Sequence, residues 1–129
     1  MKALKVTMIV YAVIGILFGL AMVAIPEKMS EWFNVAVFVD FPRYILTLLG
    51  TGSIVFGVFL IMATRDLVKN GLWVKFAIAH ALLDALVALY ALIRDYGEFS
   101  SVGVALIIHA VFAVLLLIFY PWKKEATTA

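Results

Sequence analysis

The sequence has no cysteine and little charge. The absence of cysteine excludes disulfide bonds, thiolate metal sites and catalysis by a thiol. Charged residues make up 14% of the 129 residues, whereas about 25% is usual in a soluble domain. Apolar residues make up 67%, and the mean hydropathy is +1.17. A chain of this length cannot bury so much apolar surface in water, so the sequence indicates a protein whose solvent is a lipid bilayer.

Several functional motifs are also missing. The net charge is +2 and the pI is near 9.0, but the basic residues form no patch with interleaved aromatic residues, so we predict no nucleic-acid partner. No P-loop, GxGxxG or GxSxG pattern is present. The N-terminal apolar run is about twenty residues long and lacks an A-x-A-like cleavage site, which favours a retained helix over a signal peptide.

Four apolar runs have the length of a membrane-spanning helix: Val6–Ile25, Tyr44–Thr64, Trp73–Ile93 and Val102–Tyr120. A helix needs about 20 residues to cross a hydrocarbon core about 30 Å thick, whereas the strands of a barrel would alternate and be about half as long. The predicted fold is therefore a single all-α membrane protein domain over residues 1–129, an antiparallel four-helix transmembrane bundle. Residues 123–129 are predicted to be a disordered tail.

The connections between the runs carry their own signals. Glu27–Asp40 is too short and too mixed to span, and its Met29, Trp32 and Phe33 recur at helical spacing. We predict a short interfacial amphipathic helix in this segment. Start and stop signals bound the other helices: Pro42–Arg43, Asn70–Gly71 and Gly97.

Basic residues favour one side of the predicted bundle. Seven of the ten lie at the end that holds both termini: Lys2, Lys5, Arg65, Lys69, Lys75, Lys123 and Lys124. Cytoplasmic loops carry an excess of lysine and arginine. We therefore predict a multi-pass protein of the cell (inner or plasma) membrane with both termini in the cytoplasm.

Small residues repeat at helical spacing on the first two spans. Gly15 and Gly19 share a face of the first span, and Gly50, Ser53 and Gly57 line one stripe of the second. Such stripes let helix backbones approach closely inside a membrane, where the hydrophobic effect does not drive helices together. We interpret these glycines as packing positions rather than as chemistry.

Ionisable side chains interrupt the third and fourth spans. His80 and Asp84 lie one helical turn apart, and His109 lies on the next span. At about 1.5 Å per residue from the outer end, the depths are about 10 Å for His109, 11 Å for Thr51, 13 Å for Asp84, 19 Å for His80 and 21 Å for Tyr11. We therefore expect a polar layer in which Asp84 pairs with His109 rather than with His80, with Arg43 above it at the outer rim.

The second span also carries a family resemblance. The stretch PRYILTLLGTGSIVFGVFLIMATRD resembles the R-x6-G-x6-G pattern of small four-helix membrane proteins called DoxX-like, through Arg43, Gly50 and Gly57. The preceding IPEKMSEWF and the four-span layout with cytoplasmic ends are similar as well. The resemblance implies a group whose better-known members are subunits of a quinone-linked thiosulfate-oxidising system. Some distant four-helix look-alikes scaffold or isomerise sterols. A family role that uses a thiol would not transfer to this chain, which has no cysteine.

Four interpretations of the polar layer stay open. The side chains could hydrogen-bond across the bundle and fix helix register only, as in a purely structural component of a larger membrane assembly. They could form a pocket for an amphipathic ligand such as a quinone, sterol or lipid, with Arg43 at its mouth. The predicted apolar walls are Phe18, Phe56, Phe59, Phe76 and Phe112. A histidine could act as general base with Asp84 orienting it, as in a membrane enzyme or a quinone-linked redox subunit. The two histidines and one carboxylate could hold a metal, although no further carboxylate is there to orient them.

We favour a non-catalytic function because paired ionisable groups occur without any complete catalytic motif. The protein is then an accessory subunit or a binding module for an apolar, lipid-like ligand, and catalysis is left open. The candidate cofactor is a quinone or a lipid, and no metal is predicted. The expected partners are the lipid bilayer and a membrane protein or a second copy of the chain.

Overall fold

The computed structural model describes residues 1–33, 40–95 and 98–122, of which residues 40–43 are described by their backbone alone. The predicted tail at 123–129 and the predicted helix end at Gly97 lie outside these residues. The described elements are α1 (Lys2–Ala24), α2 (Pro26–Trp32), α3 (Asp40–Ala63), α4 (Gly71–Ile93), a π-helical turn (Phe99–Gly103) and α5 (Val104–Phe119).

Four helical segments are long and apolar enough to cross a membrane: Lys2–Ala24, Tyr44–Ala63, Gly71–Ile93 and Phe99–Phe119. The described residues contain no strand. The predicted fold, an all-α four-helix bundle of the membrane type, is confirmed.

Some helix starts differ from the predicted ones. α3 begins at Asp40, so Pro42 lies in its first turn, where the N–H that proline lacks has no partner in a helix anyway. Gly71 is the first residue of α4 and not part of the turn before it, and Asn70 is the N-cap of α4. The fourth span begins at Phe99 through the π-helical turn, which the sequence pattern did not indicate.

The short helix predicted after the first span is present as α2. Pro26 is its first residue, and Met29 and Ser30 are buried. The Phe18 ring of α1 lies 5.3 Å from the Trp32 ring and 6.0 Å from the Phe33 ring. α2 is therefore held against the outer part of α1 by aromatic contacts. The rest of the predicted interfacial segment, residues 34–39, lies outside the described residues.

Glycine brings the backbones of α1 and α3 together. A methyl group on Gly19 would lie 2.5 Å from the Gly50 carbonyl oxygen, and one on Gly57 would lie 2.8 Å from the Ala12 carbonyl oxygen. Residues later in α1 thus meet residues earlier in α3, so the two helices are antiparallel. The small-residue stripes of both helices meet, as the sequence predicts, but Gly15 has only a loose neighbour, the Ser53 carbonyl oxygen at 4.0 Å.

α4 and α5 form the second closely packed pair. Ala77, Ala81 and Ala88 are buried on α4, and Ala113 and Leu116 are buried on α5. Side chains from all four long helices then join in one apolar core, which includes Met8, Leu60, Ala81 and Leu116. The bundle is therefore two antiparallel pairs, α1 with α3 and α4 with α5, that share a core.

Candidate functional site

Asp84 lies at the centre of the polar layer. Its Oδ2 atom is 3.0 Å from Nδ1 of His80 and 3.2 Å from Nε2 of His109. The expectation that Asp84 pairs with His109 in preference to His80 therefore needs correction, because one oxygen contacts both rings. His80 is one turn away on the same helix, and His109 reaches across from the antiparallel α5.

Tyr11 joins the layer from α1. Its hydroxyl oxygen lies 3.2 Å from Nδ1 of His80. The tyrosine is 5% exposed, and its ring stacks on Phe112 of α5 with centroids 4.8 Å apart. Tyr11 and Asp84 thus meet the same nitrogen of His80, which either donates or accepts at any one time. The four side chains Tyr11, His80, Asp84 and His109 form a connected polar cluster across α1, α4 and α5.

The backbone of α5 fixes the orientation of His109. Its Nδ1 lies 2.8 Å from the carbonyl oxygen of Ala105, one turn earlier. A carbonyl oxygen only accepts, so Nδ1 carries a hydrogen and donates it. A hydrogen bond between Nε2 and Asp84 then requires one more proton, on either atom. The pair is therefore an imidazolium with a carboxylate or a neutral imidazole with a carboxylic acid.

The second ring nitrogen of His80, Nε2, lies on the side of the ring away from Tyr11 and Asp84. Its ring stacks on Phe56 of α3, with centroids 4.4 Å apart and planes 11° from parallel. Nδ1 is taken by Asp84 and Tyr11, and Nε2 has no hydrogen-bond partner among the described residues. The same holds for Oδ1 of Asp84. Since the described part of the chain contains no buried side-chain nitrogen or oxygen without a partner, both atoms are accessible.

One flank of α3 contacts α4 in its inner half and is open in its outer half. Leu49, Gly52, Phe56 and Phe59 share one flank of α3, at intervals of three and four residues. Phe56 and Phe59 contact α4: Phe59 stacks on Trp73 at 5.3 Å and Phe56 on His80. The outer residues of that flank are open: Leu49 is 56% exposed, and a methyl group on Gly52 would meet nothing within 4 Å. We call this open surface of α3 the opening at Gly52.

Gly52 and Asp84 lie at the same level of the bundle. Gly52 is one turn outward from Phe56 on α3, and Asp84 is one turn outward from His80 on α4. The opening at Gly52 is therefore level with the carboxylate. The side chains of His80 and Asp84 are 36% and 39% exposed, and that of His109 is 25% exposed.

One predicted site residue, Thr51, does not join the layer, and the side chain of another is not among those described. Thr51 has the predicted depth but an exposed side chain, and its hydroxyl donates to the carbonyl oxygen of Thr47 in its own helix, at 2.9 Å. Depth counting gives the level of a residue and not the direction in which it points. The side chain of Arg43 lies outside the described residues.

The predicted phenylalanine walls divide in the same way. Phe56 and Phe76 flank the His80 ring, at 4.4 Å and 6.3 Å, and Phe112 stacks on Tyr11. Phe59 lies further inward against Trp73, and Phe18 lies against α2. Three of the five predicted wall residues therefore border the polar layer.

Sequence reasoning missed the Ala105 carbonyl and the opening at Gly52. The spacing of Ala105 and His109 is that of one helical turn, so this contact had a signal in the sequence. A metal site finds no support in the described part of the chain, where no group of three histidine or carboxylate side chains could hold an ion.

Fold and polar layer together define a class: a small four-helix protein of the membrane type with a carboxylate held between two histidines inside its spans. No protein-family model, no curated protein and no solved structure matches the chain. The DoxX-like resemblance therefore stays a prediction.

Proposed function

We propose that this protein is a membrane-embedded binding module for a small amphipathic molecule. The polar group of the ligand bonds to Asp84 Oδ1 and His80 Nε2, and its apolar body lies in the opening at Gly52. The observation that supports this most is the pair of accessible, unpartnered polar atoms on ionisable side chains inside a span.

The free-energy cost of leaving these two atoms without a hydrogen bond depends on their surroundings. A polar atom that faces hydrocarbon without a hydrogen bond costs several kcal/mol, and an ionised one costs more. Every buried side-chain nitrogen and oxygen of the described residues has a partner. A bundle that satisfies its buried polar atoms so completely is not expected to present Asp84 to bare lipid. Water or the polar group of a ligand must occupy the position next to it.

The opening also indicates the kind of ligand. Its inner end is closed by the Phe56 and Phe76 rings, and its outer part passes Leu49 and Gly52. A molecule with a hydroxyl or carbonyl group and a flat or chain-like apolar body fits both ends of such a site. A quinone or a lipid-like molecule has this chemistry.

The cellular context follows from charge. The basic residues at the end with both termini support a multi-pass protein of the cell membrane with cytoplasmic termini. A protein this small with a ligand site suits an accessory role, in which it presents the bound molecule to a larger membrane protein or to a second copy of the chain.

The test is to identify what co-purifies. Protein extracted in a mild detergent is washed, and its bound apolar molecules are extracted and quantified by mass spectrometry for wild type and for the double variant Asp84→Ala/His80→Leu. Hydrogen bonds to charged groups contribute about 1.5–3 kcal/mol, so the variant should retain tenfold to a hundredfold less ligand. Thr51→Val, a variant with a polar group removed at the same level but outside the layer, should retain the wild-type amount.

Equal retention by both variants, or no enriched molecule in wild type, would contradict the proposal. If Asp84→Ala/His80→Leu lowers only the yield of folded protein, the layer is structural. The protein is then a packing component of a larger membrane assembly.

A second candidate function, proton transfer, is favoured by the orientation of His80. Asp84 contacts Nδ1 and leaves Nε2 outward, which is the arrangement in which a carboxylate fixes the tautomer of a histidine base. His80 would then take up and release protons at Nε2 with Asp84 orienting its ring, as in a membrane enzyme or a quinone-linked redox subunit.

Proton transfer requires water at His80 Nε2. The sequence has two histidines, so a 15N-histidine-labelled sample in lipid bilayers gives few signals, and His109→Gln assigns them. Water-edited solid-state NMR should show transfer from water to His80 Nε2 as fast as to groups at the membrane surface. Slow transfer in the ligand-free protein would rule out this second function and leave the binding function untouched.

A further inference from the structure

A second cavity lies at the end of the bundle opposite the opening at Gly52. It has a volume of about 240 Å³ and is lined by residues of the first turns of α1 and of the connection between α3 and α4: Met1, Lys2, Lys5, Thr64, Arg65, Asp66, Leu67 and Val68. It shares no residue with the polar layer.

The cavity is cationic. Lys2, Lys5 and Arg65 contribute three positive side chains, and none of them has an ion-pair partner among the described residues. The first turn of α1 has no acidic residue that could neutralise the two lysines. These three basic residues line one volume, and none of them forms an ion pair with the acidic residue beside them, Asp66.

Asp66 is the one acidic residue that lines the cavity, and its carboxylate is hydrogen-bonded within the turn before α4. Oδ1 of Asp66 accepts the backbone N–H groups of Val68 and Lys69, at 3.2 and 3.0 Å, and so shapes the turn before α4. Asp66 has no ion pair with a described residue. Three basic side chains against one acidic side chain leave an excess of two positive charges around the cavity.

The position of the cavity selects among anions. It lies where α1 begins, at Lys2, and where α3 ends, at Ala63. These residues mark one end of the membrane-spanning segments, which is the level of the lipid phosphate groups. Leu67 and the 80% exposed Val68 add apolar surface beside the cations. A lipid presents a phosphate next to an apolar body, whereas a free anion gains nothing from contact with apolar side chains.

We infer that this cavity binds the phosphate group of an anionic phospholipid, held by Lys2, Lys5 and Arg65. Arginine pairs with phosphate through two parallel hydrogen bonds, and lysine acts as a point charge. The inference is independent of the proposed ligand site at Asp84, since the two sites share no residue and lie at different levels of the bundle.

The experiment measures lipid retention directly. Wild-type protein is reconstituted in vesicles of phosphatidylcholine with 30% phosphatidylglycerol, released in mild detergent, and its bound lipids are counted by native mass spectrometry. A basic residue that hydrogen-bonds the phosphate directly contributes about a tenfold or larger preference for the lipid. The double variant Lys5→Gln/Arg65→Gln should therefore retain more than tenfold less phosphatidylglycerol, and each single variant should show an intermediate loss.

Lys69→Gln is the matched control, because Lys69 lies in the same connection but outside the cavity lining. It should retain phosphatidylglycerol within about two-fold of wild type. Equal losses in Lys69→Gln and in the cavity variants would overturn the inference in favour of diffuse surface charge. Displacement of the lipid by millimolar inorganic phosphate would assign the cavity to a free anion instead. A thermal melt in detergent confirms that each variant is folded, and the single variants decide the matter if the double variant is not.

Discussion

The two sides of α3 are packed in opposite ways. Towards α1 the helix backbones touch, because Gly19, Gly50 and Gly57 leave no room for a side chain between them. Towards α4 the aromatic contacts of the described residues lie in the inner half of α3, through Phe56 and Phe59. In a membrane, close packing and polar contacts replace the hydrophobic effect as the force between helices. The α1 side of α3 is thus closely packed, and the outer part of α3 at Gly52 is where the proposed ligand would lie.

Two glycines of α3 make the contrast concrete. A methyl group on Gly50 would lie 2.6 Å from the Gly19 carbonyl oxygen and 2.7 Å from Cβ of Met22. A methyl group on Gly52, two positions later, would meet nothing within 4 Å. Glycine therefore permits close packing at position 50 and borders an open space at position 52. Substitutions at these positions separate stability from ligand binding.

The largest effect is expected from Gly50→Ala. The methyl group would collide with backbone atoms of α1, which cannot move aside as a flexible side chain does. Overpacking of this kind costs about 1–3 kcal/mol and occasionally more. Reversible unfolding of the purified protein in mixed micelles should show a drop in the free energy of unfolding of at least that size.

Gly15→Ala is the control for this prediction. Gly15 lies on the same face of α1 as Gly19, but its nearest neighbour would be 4.0 Å away, an ordinary van der Waals distance. Its unfolding free energy should match wild type or rise slightly, since alanine is the better helix former by up to about 1 kcal/mol. An equal loss in Gly15→Ala and Gly50→Ala would mean that α1 and α3 do not pack as described.

The next effect in size is expected from Asp84→Ala. The change removes the acceptor shared by His80 and His109, and polar contacts between membrane helices contribute about 0.6–2 kcal/mol. The free energy of unfolding should fall by about that amount, less than for Gly50→Ala. Asp84→Asn keeps an acceptor oxygen and the side-chain volume, so it should recover part of the loss. Full wild-type stability in Asp84→Ala would show that the layer does not hold α4 and α5 together.

Much of the fold was predictable because it depends on local properties of the chain. Run length alone gave the four spans, since a bilayer fixes the length of a helix that crosses it. Spacings of three and four residues gave the small-residue stripes of α1 and α3. The starts at Asp40, Gly71 and Phe99 were not predicted, because helical turns outside an apolar run carry no hydropathy signal.

The site was predictable in level but not in direction. Helical rise placed Asp84 near His109, and the spacing of four placed His80 beside Asp84. Whether a residue at that level faces the layer depends on how each helix is rotated about its axis. That rotation is set by contacts between helices, here the meeting of Gly19 with Gly50. Thr51 follows Gly50, so the rotation that brings Gly50 against α1 leaves the Thr51 side chain exposed.

Filling the opening should affect binding without affecting stability. In Gly52→Leu a large apolar side chain takes the space level with Asp84, where a smaller methyl group would have no neighbour within 4 Å. The free energy of unfolding should stay the same or rise by up to about 1 kcal/mol, because glycine is a poor helix former. The amount of co-purified ligand should fall at least tenfold, while Gly52→Ala should reduce it little. Undiminished ligand in a folded Gly52→Leu protein would place the entrance elsewhere.

The smallest effect is expected from Thr51→Val, which tests the direction of a side chain rather than its depth. The Thr51 hydroxyl donates only to the Thr47 carbonyl oxygen, and valine replaces it with a methyl group of similar size. Removing such an exposed hydrogen bond within a helix should change the free energy of unfolding by no more than about 0.5 kcal/mol. Ligand retention should also match wild type. A tenfold loss of ligand in Thr51→Val would mean that α3 turns its outer half towards Asp84 when the site is occupied, and that the depth-based prediction describes the bound state.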